Sequence, residues 1–194
     1  MKKYELYLIL NPILGNEAFK TEITKVEELL TSKIKATNIK SNNEGLKKLA
    51  YPINKQWTGN YVLVEFELEE GLQFSIPVME KALNINTAII RYLINNLDEY
   101  NTQLAKEVRN KTEIKTHNEL NKIKTEKKQC IVKHMGLRVI NYKDTTFLQQ
   151  FMSPYGKIFG RDRTGASAKY QRKVTRAIKK ARHMALLPFT SKHM

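Results

Sequence analysis

The apolar positions of the first hundred residues change period several times. Tyr4-Glu5-Leu6-Tyr7-Leu8-Ile9-Leu10 is almost continuously apolar and stops at Asn11-Pro12, the pattern of a mostly buried strand. Phe19, Ile23, Val26 and Leu30 then recur at helical spacing with Glu and Lys between them, which predicts an amphipathic helix over about 16–31. A second strand is expected within 34–53. Thr58-Gly59-Asn60 reads as a turn, and Tyr61–Leu68, rich in β-branched and aromatic residues, as a third strand. Pro77 suits the first turn of a helix from about Ser75 to Asn84, because its missing N–H has no partner to lose there. Thr87–Ile94 reads as a fourth strand. The order βαββαβ predicts an α+β domain of the ferredoxin-like kind, an antiparallel sheet with both helices on one face. Its other face is expected to be uncovered, with Tyr61, Leu63 and Tyr92 among the candidates to line it. Strand parity leaves open the alternative that these residues sit in the core.

The pattern then fades. Between Asp98 and Gln129 the branched apolar residues are Leu104, Val108, Ile114, Leu120 and Ile123, too few to offset the entropy of ordering the segment. It reads as a charged linker, flexible or partly helical around 98–110, with an end-to-end span of roughly 30 Å as a coil. A second apolar pattern follows in 130–194. Asp144 is placed to cap a short helix carrying Phe147, Leu148 and Phe151, which ends at Ser153-Pro154-Tyr155-Gly156. Lys157–Gly165 is a glycine-punctuated basic loop, and Ser167 caps a long helix lasting to about Leu186, before Pro188. The expected organisation is therefore a ferredoxin-like domain (1–97), a linker (98–129) and a small, mostly α-helical basic domain (130–194).

Charge sharpens this division. The 194 residues carry 34 Lys and Arg against 19 Asp and Glu, a formal +15. From Cys130 onward there are 14 basic residues and two acids, Asp144 and Asp162, or 14 − 2 = +12. Such self-repulsion is tolerated when a polyanion relieves it, so nucleic acid is the expected partner, against the plainer reading of a solvated basic face. On the long helix Tyr170, Val174, Ala177, Ile178, Ala181 and Ala185 form a narrow apolar stripe. Lys169, Arg172, Lys173, Arg176 and Lys180 form a separate cationic one, extended by Lys179 and Arg182. Lys157, Arg161 and Arg163 in the loop and Lys192 in the tail complete the candidate RNA-binding set. Gly160 and Gly165 would let backbone approach a phosphate. The loop lacks the Gly-Lys-Ser/Thr ending of a nucleotide-binding P-loop.

Other chemistry is poorly supported. Cys130 is the only cysteine, which excludes an internal disulfide and a multi-thiolate zinc site. His117, His134, His183 and His193 are scattered, and the Cys130/His134 spacing lacks a third ligand. Glu65, Glu67, Glu69 and Glu70 alternate along and beyond a strand as a solvated acidic edge would. No nucleophile motif, metal site or cofactor motif is found, so a non-enzymatic role is expected. The absence of a run of about 18 apolar residues argues against a membrane span, and an apolar pattern beginning at Tyr4 argues against a signal or transit segment.

Two family resemblances arise at these residues. Tyr4-Glu5-Leu6 with Asn11-Pro12, Leu49-Ala50-Tyr51-Pro52-Ile53, Gly59 with Tyr61-Val62-Leu63 and Glu65-Phe66-Glu67, and Ile90-Arg91-Tyr92-Leu93 resemble bacterial ribosomal protein S6 over about 1–97. Cys130, Tyr142-Lys143-Asp144, Gly156-Lys157-Ile158, Arg163-Thr164-Gly165, Ser167-Ala168-Lys169, Gln171-Arg172, Ala177–Arg182 and Leu186–Thr190 resemble ribosomal protein S18 over nearly all of 130–194. The resemblance implies a fusion of two families known as a heterodimer on the small-subunit platform. It implies a structural constituent of the small subunit that binds central-domain rRNA through its basic domain. The other half would brace it by intramolecular pairing, beside neighbouring small-subunit proteins. The implied location is the ribosome, in a bacterial cytoplasm or an organelle.

Two other readings compete. One is an RNA-binding regulator off the ribosome, acting for example on its own mRNA leader. The other is a small enzyme on a ferredoxin-like fold, such as an acylphosphatase, for which no motif speaks. The ferredoxin-like half also lacks the Lys/Arg-Gly-Phe-like motif of sheets that stack bases on their central strands, so direct base stacking by this domain is not expected.

Overall fold

Seven consecutive residues of β1 (Lys2–Leu10), Tyr4 to Leu10, are buried, so this strand is covered on both faces as its nearly continuous apolar run implied. It belongs to a computed structural model that describes residues 1–97 and 140–190, in a chain divided into two units, Met1–Glu99 and Tyr100–Met194. The linker expected at 98–129, with Cys130, His117 and His134, lies outside the described residues, as do Lys192 and His193.

In the first unit the elements follow as α1 (Asn16–Ile34), β2 (Thr37–Ile53), β3 (Gln56–Leu68), a single 3₁₀ turn at Leu72–Ser75, α2 (Ile76–Ile85) and β4 (Ile89–Asn96). The strands form one antiparallel sheet in the order β2-β3-β1-β4. This is the expected ferredoxin-like arrangement. Tyr4, Leu6, Leu8 and Leu10 of β1 and Val62, Val64, Phe66 and Leu68 of β3 face the helices. They pack with Val26, Leu30 and Ile34 of α1 and Met79 and Leu83 of α2. Helix α1 runs one turn past the expected end because Ile34, four residues after Leu30, is still on the buried stripe. It stops where Lys35 turns left-handed (φ 57°) and the Ala36 N–H donates to the Leu30 carbonyl at 3.0 Å.

Two expectations need correction. The β2–β3 turn is at Asn54-Lys55, both at positive φ (48° and 64°), and not at Thr58–Asn60, which lies inside β3. Gly59 is there for close packing: a Cβ on it would sit 2.6 Å from Cγ2 of Ile9. Nor is the second sheet face bare. Tyr7, Ile9 and Tyr61 are fully buried, and Leu49, Tyr51 and Ile53 of the long hairpin are buried with them. Tyr51 reaches Arg91 of β4, although β2 and β4 are opposite edges of the sheet, so the end of the hairpin folds back across this face. Tyr92 belongs to the helix side, where its hydroxyl lies 3.0 Å from Oδ1 of Asn84.

In the second unit, α3 (Thr145–Gln149) begins as expected, with Asp144 Oδ1 accepting from the Phe147 N–H at 3.0 Å. The loop after it contains one helical turn, α4 (Arg161–Thr164), and α5 spans Ala168–His183. The buried side chains of the described part are chiefly Tyr142, Phe147, Leu148 and Phe151 with Val174, Ile178, Ala181, Met184 and Leu187.

Candidate nucleic-acid interface

Helix α5 carries most of the candidate residues, and its own ends fix where they stand. Ser167 Oγ accepts from the Tyr170 N–H at 3.5 Å. At the other end Ala185 is left-handed (φ 51°), and the Leu186 N–H closes the helix onto the Ala181 carbonyl at 2.9 Å. The helix therefore ends at His183, three residues before the expected Leu186.

Val174, Ala177, Ile178 and Ala181 are buried, which is the predicted small-residue stripe; Tyr170 at its start is only half-buried. On the opposite side Lys169, Arg172, Arg176, Lys179 and His183 follow one another at spacings of three and four and are all exposed. Lys173 and Lys180 border this face, half-buried. Lys169, Arg172, Arg176 and Lys179 have no carboxylate partner among the described residues. Arg172 and Arg176 repel at i,i+4, a cost of about 0.2–0.5 kcal/mol in an isolated helix. The helix tolerates that cost because its other face is packed.

Arg182 does not belong to this face. Its Nε donates to the Pro188 carbonyl at 3.1 Å, another nitrogen donates to the Gly156 carbonyl, and the guanidinium lies 5.5 Å from the centre of the Phe189 ring. Burial pulls its pKa below the usual arginine value. Gly156 is held at φ +78°, and a Cβ there would collide with the Phe189 carbonyl, so the same junction explains this glycine. Arg182 clasps the C-terminal segment to α3's following turn. It was grouped with the RNA-binding arginines because helical spacing alone does not separate a flank from a face.

The basic loop is braced against α5. Gln171 Nε2 donates to the Phe159 carbonyl at 2.8 Å, and buried Thr164 donates to the Gly160 carbonyl at 3.2 Å. Arg163 stacks on Phe159 with its guanidinium 3.8 Å from the ring centre. Arg161 reaches the Ala166 carbonyl at 3.4 Å. Lys157, Arg161 and Arg163 are exposed. Gly165 is accounted for by its left-handed cap of α4 (φ 64°), without any ligand, whereas Gly160 has open space around it. Tyr155, 73 % exposed beside Lys157, went unselected from sequence because a lone Tyr next to Pro reads as a turn residue.

Elsewhere the candidates dissolve into ordinary contacts. Glu67 accepts from Asn38 at 2.8 Å and from Lys3 at 3.2 Å, and those two hydrogen bonds hold its carboxyl below the usual value. Among the described residues no three His, Cys, Asp or Glu side chains are grouped to hold a metal, and no helix is long and apolar enough to cross a membrane.

Comparison with known proteins gives two family matches: residues 136–187 match Ribosomal protein S18, and residues 3–96 match Ribosomal protein S6. Among similar relatives, the small ribosomal subunit protein bS18 of Porphyromonas gingivalis is 50% identical over 68 residues, 35% of this chain and 76% of that protein. The bS18 of Cytophaga hutchinsonii is 47% identical over 72 residues, 37% of this chain and 87% of the relative. Among solved structures, the 30S ribosomal protein S6 of Thermotoga maritima aligns with a TM-score of 0.48 at 21% identity, covering 55% of this chain and 97% of that one.

Proposed function

Because the chain belongs to the ribosomal protein S18 family through its basic unit and joins to it a ribosomal protein S6 sequence, we propose that it is a structural protein of the small ribosomal subunit that grips rRNA with the exposed face of α5. The observation that carries this reading is the segregation along α5. Lys169, Arg172, Arg176 and Lys179 share the side away from the packed stripe. A row of ammonium and guanidinium groups binds a phosphate chain by releasing condensed counterions, which gives affinity without sequence readout. The arginines add bidentate geometry toward phosphate or a guanine edge. Lys157, Arg161 and Arg163 extend the same chemistry through a loop that is braced by protein hydrogen bonds and so loses little entropy on binding.

The role of the first unit in this reading is to brace the second. The intervening chain makes pairing of the two an intramolecular event at an effective concentration near mM. Neighbouring small-subunit proteins are the remaining expected contacts, and the site of action is the ribosome. No step of catalysis is assigned to any residue.

Retention of a central-domain rRNA fragment by the full chain tests this. Binding should weaken steeply with salt, and the triple variant Arg172→Gln, Arg176→Gln, Lys179→Gln should bind less tightly while folding normally. Unchanged binding by the triple variant would remove α5 from the interface.

A further inference from the structure

We infer that the tip of the β2–β3 hairpin is a second RNA contact, in which Trp57 stacks on an unpaired base while Lys55 bears on the flanking phosphates. This rests on rRNA being the partner of the chain, and it names a site in the unit assigned so far only a bracing role.

Three independent features converge there. Trp57 is 53 % exposed at the end of a long hairpin, and its indole N–H has no protein hydrogen-bond partner among the described residues. A tryptophan exposed to that degree leaves a large π-face in water, which a stacked base can cover.

Charge at the tip has one sign. Residues 45–60 hold Lys47, Lys48 and Lys55 and no carboxylate, whereas the rest of 1–97 holds nine basic and eleven acidic residues, a net −2. The positive potential of the first unit is thus gathered where the tryptophan is. Lys47 is engaged by Glu44 at 2.7 Å, but Lys48 and Lys55 are exposed and have no carboxylate partner among the described residues. Lys48 is paired in register with Thr58, so strand alternation places it on the face opposite Trp57, and Lys55 in the adjoining turn is the lysine two residues from the indole. A purely apolar protein partner would fit Trp57 and leave Lys55 desolvated or unused; a base with its phosphates satisfies both.

The tip is also presented rigidly. Asn54 and Lys55 make the tight two-residue turn with both φ positive, and the strand before it is anchored across the sheet through Tyr51 and Arg91. Little ordering is left to be lost on binding. Stacking at a hairpin tip also needs no aromatic motif on the central strands, which this sheet lacks.

Trp57 is the chain's single tryptophan, so its emission reports on this site alone. The full chain is titrated with a single-stranded oligoadenylate of about 12 nucleotides, with filter retention as a separate measure of binding. Emission should be quenched in parallel with retention. Trp57→Ala should weaken retention about 5- to 100-fold, and Trp57→Phe, which keeps a ring, should recover most of it. Retention with unchanged emission, and a Trp57→Ala variant that binds like the parent, would overturn the inference while leaving the α5 reading intact. So would a Trp57 that is shielded within assembled subunits yet indifferent to RNA alone, since that assigns the tip to a protein neighbour. Conversely, Trp57 quenching together with an ineffective α5 triple variant keeps the hairpin contact and removes the α5 site.

Discussion

A nitrogen of the Arg91 guanidinium on β4 donates to the Tyr51 hydroxyl on β2, and its carbon lies 5.5 Å from the centre of that ring, although two strands separate β4 from β2 in the sheet. The contact exists because β2 is long enough to curl back over the face opposite the helices. It helps explain why that face is buried, with Ile9 and Tyr61 fully enclosed. Tyr51→Phe should keep the ring and lose the acceptor, lowering stability to urea by about 1 kcal/mol, and Arg91→Met should cost a similar amount. The two effects should not add, since both remove one contact.

Gly59 sits under the same curl. Gly59→Ala should destabilise by about 1–3 kcal/mol, because the new methyl must displace Ile9 in a packed strand. Combined with Ile9→Ala, the penalty of the glycine change should largely disappear; a double-mutant cycle in urea measures this.

Both of these features were partly hidden from the sequence, for a definite reason. The strand and helix periods of the first unit were legible, because β1, α1 and β3 have strong apolar patterns. The hairpin turn was misplaced because Gly59 is the stronger turn signal, yet it serves a close packing contact, while Asn54-Lys55 makes the turn without a glycine. The buried second face was missed because nothing in local periodicity reports that a strand curls. On α5 the exposed cationic face and the small-residue stripe followed directly from spacing. Arg182 did not, because the carbonyls of Gly156 and Pro188 that hold it are brought near by the chain path and not by the helix.

Arg182 and Arg176 should therefore behave differently. Arg182→Gln should lower thermal stability, by about 1–3 kcal/mol, since it leaves carbonyls at the junction unpaired. Arg176→Gln should leave stability within about 0.5 kcal/mol of the parent and reduce the salt dependence of RNA binding by roughly one phosphate's worth. Thermal melts and salt titrations of the two variants separate these roles.

Lys35 holds a left-handed conformation at the end of α1, φ 57°. Lys35→Gly should raise stability by about 1 kcal/mol by relieving the Cβ clash there. A shift of the urea midpoint to higher concentration, with an unchanged slope, checks it.

Tyr7 and Tyr61 are buried on the second face, and desolvation raises both phenols above the ordinary 10.0. For Tyr7 the hydrogen bond it donates to Glu44 adds to the effect. A raised folded-state value means the neutral phenol is favoured by the fold. The stabilisation is complete below pH 10 and is lost as pH climbs above it, where the unfolded chain ionises first. Ultraviolet titration of tyrosinate should show Tyr7 and Tyr61 among the phenols that fail to ionise until the protein unfolds in alkali, and Tyr7→Phe should lower the number of such late-ionising phenols by one.

The most direct test is ultraviolet crosslinking of the chain within purified small subunits, followed by mapping of the peptides that carry ribonucleotides. Crosslinks should fall on the α5 segment containing Lys169, Arg172, Arg176 and Lys179 and should be lost when those residues are neutralised. A chain that is missing from the subunits, or one whose ribonucleotide adducts all lie away from α5, would contradict a cationic helix face as the grip on rRNA.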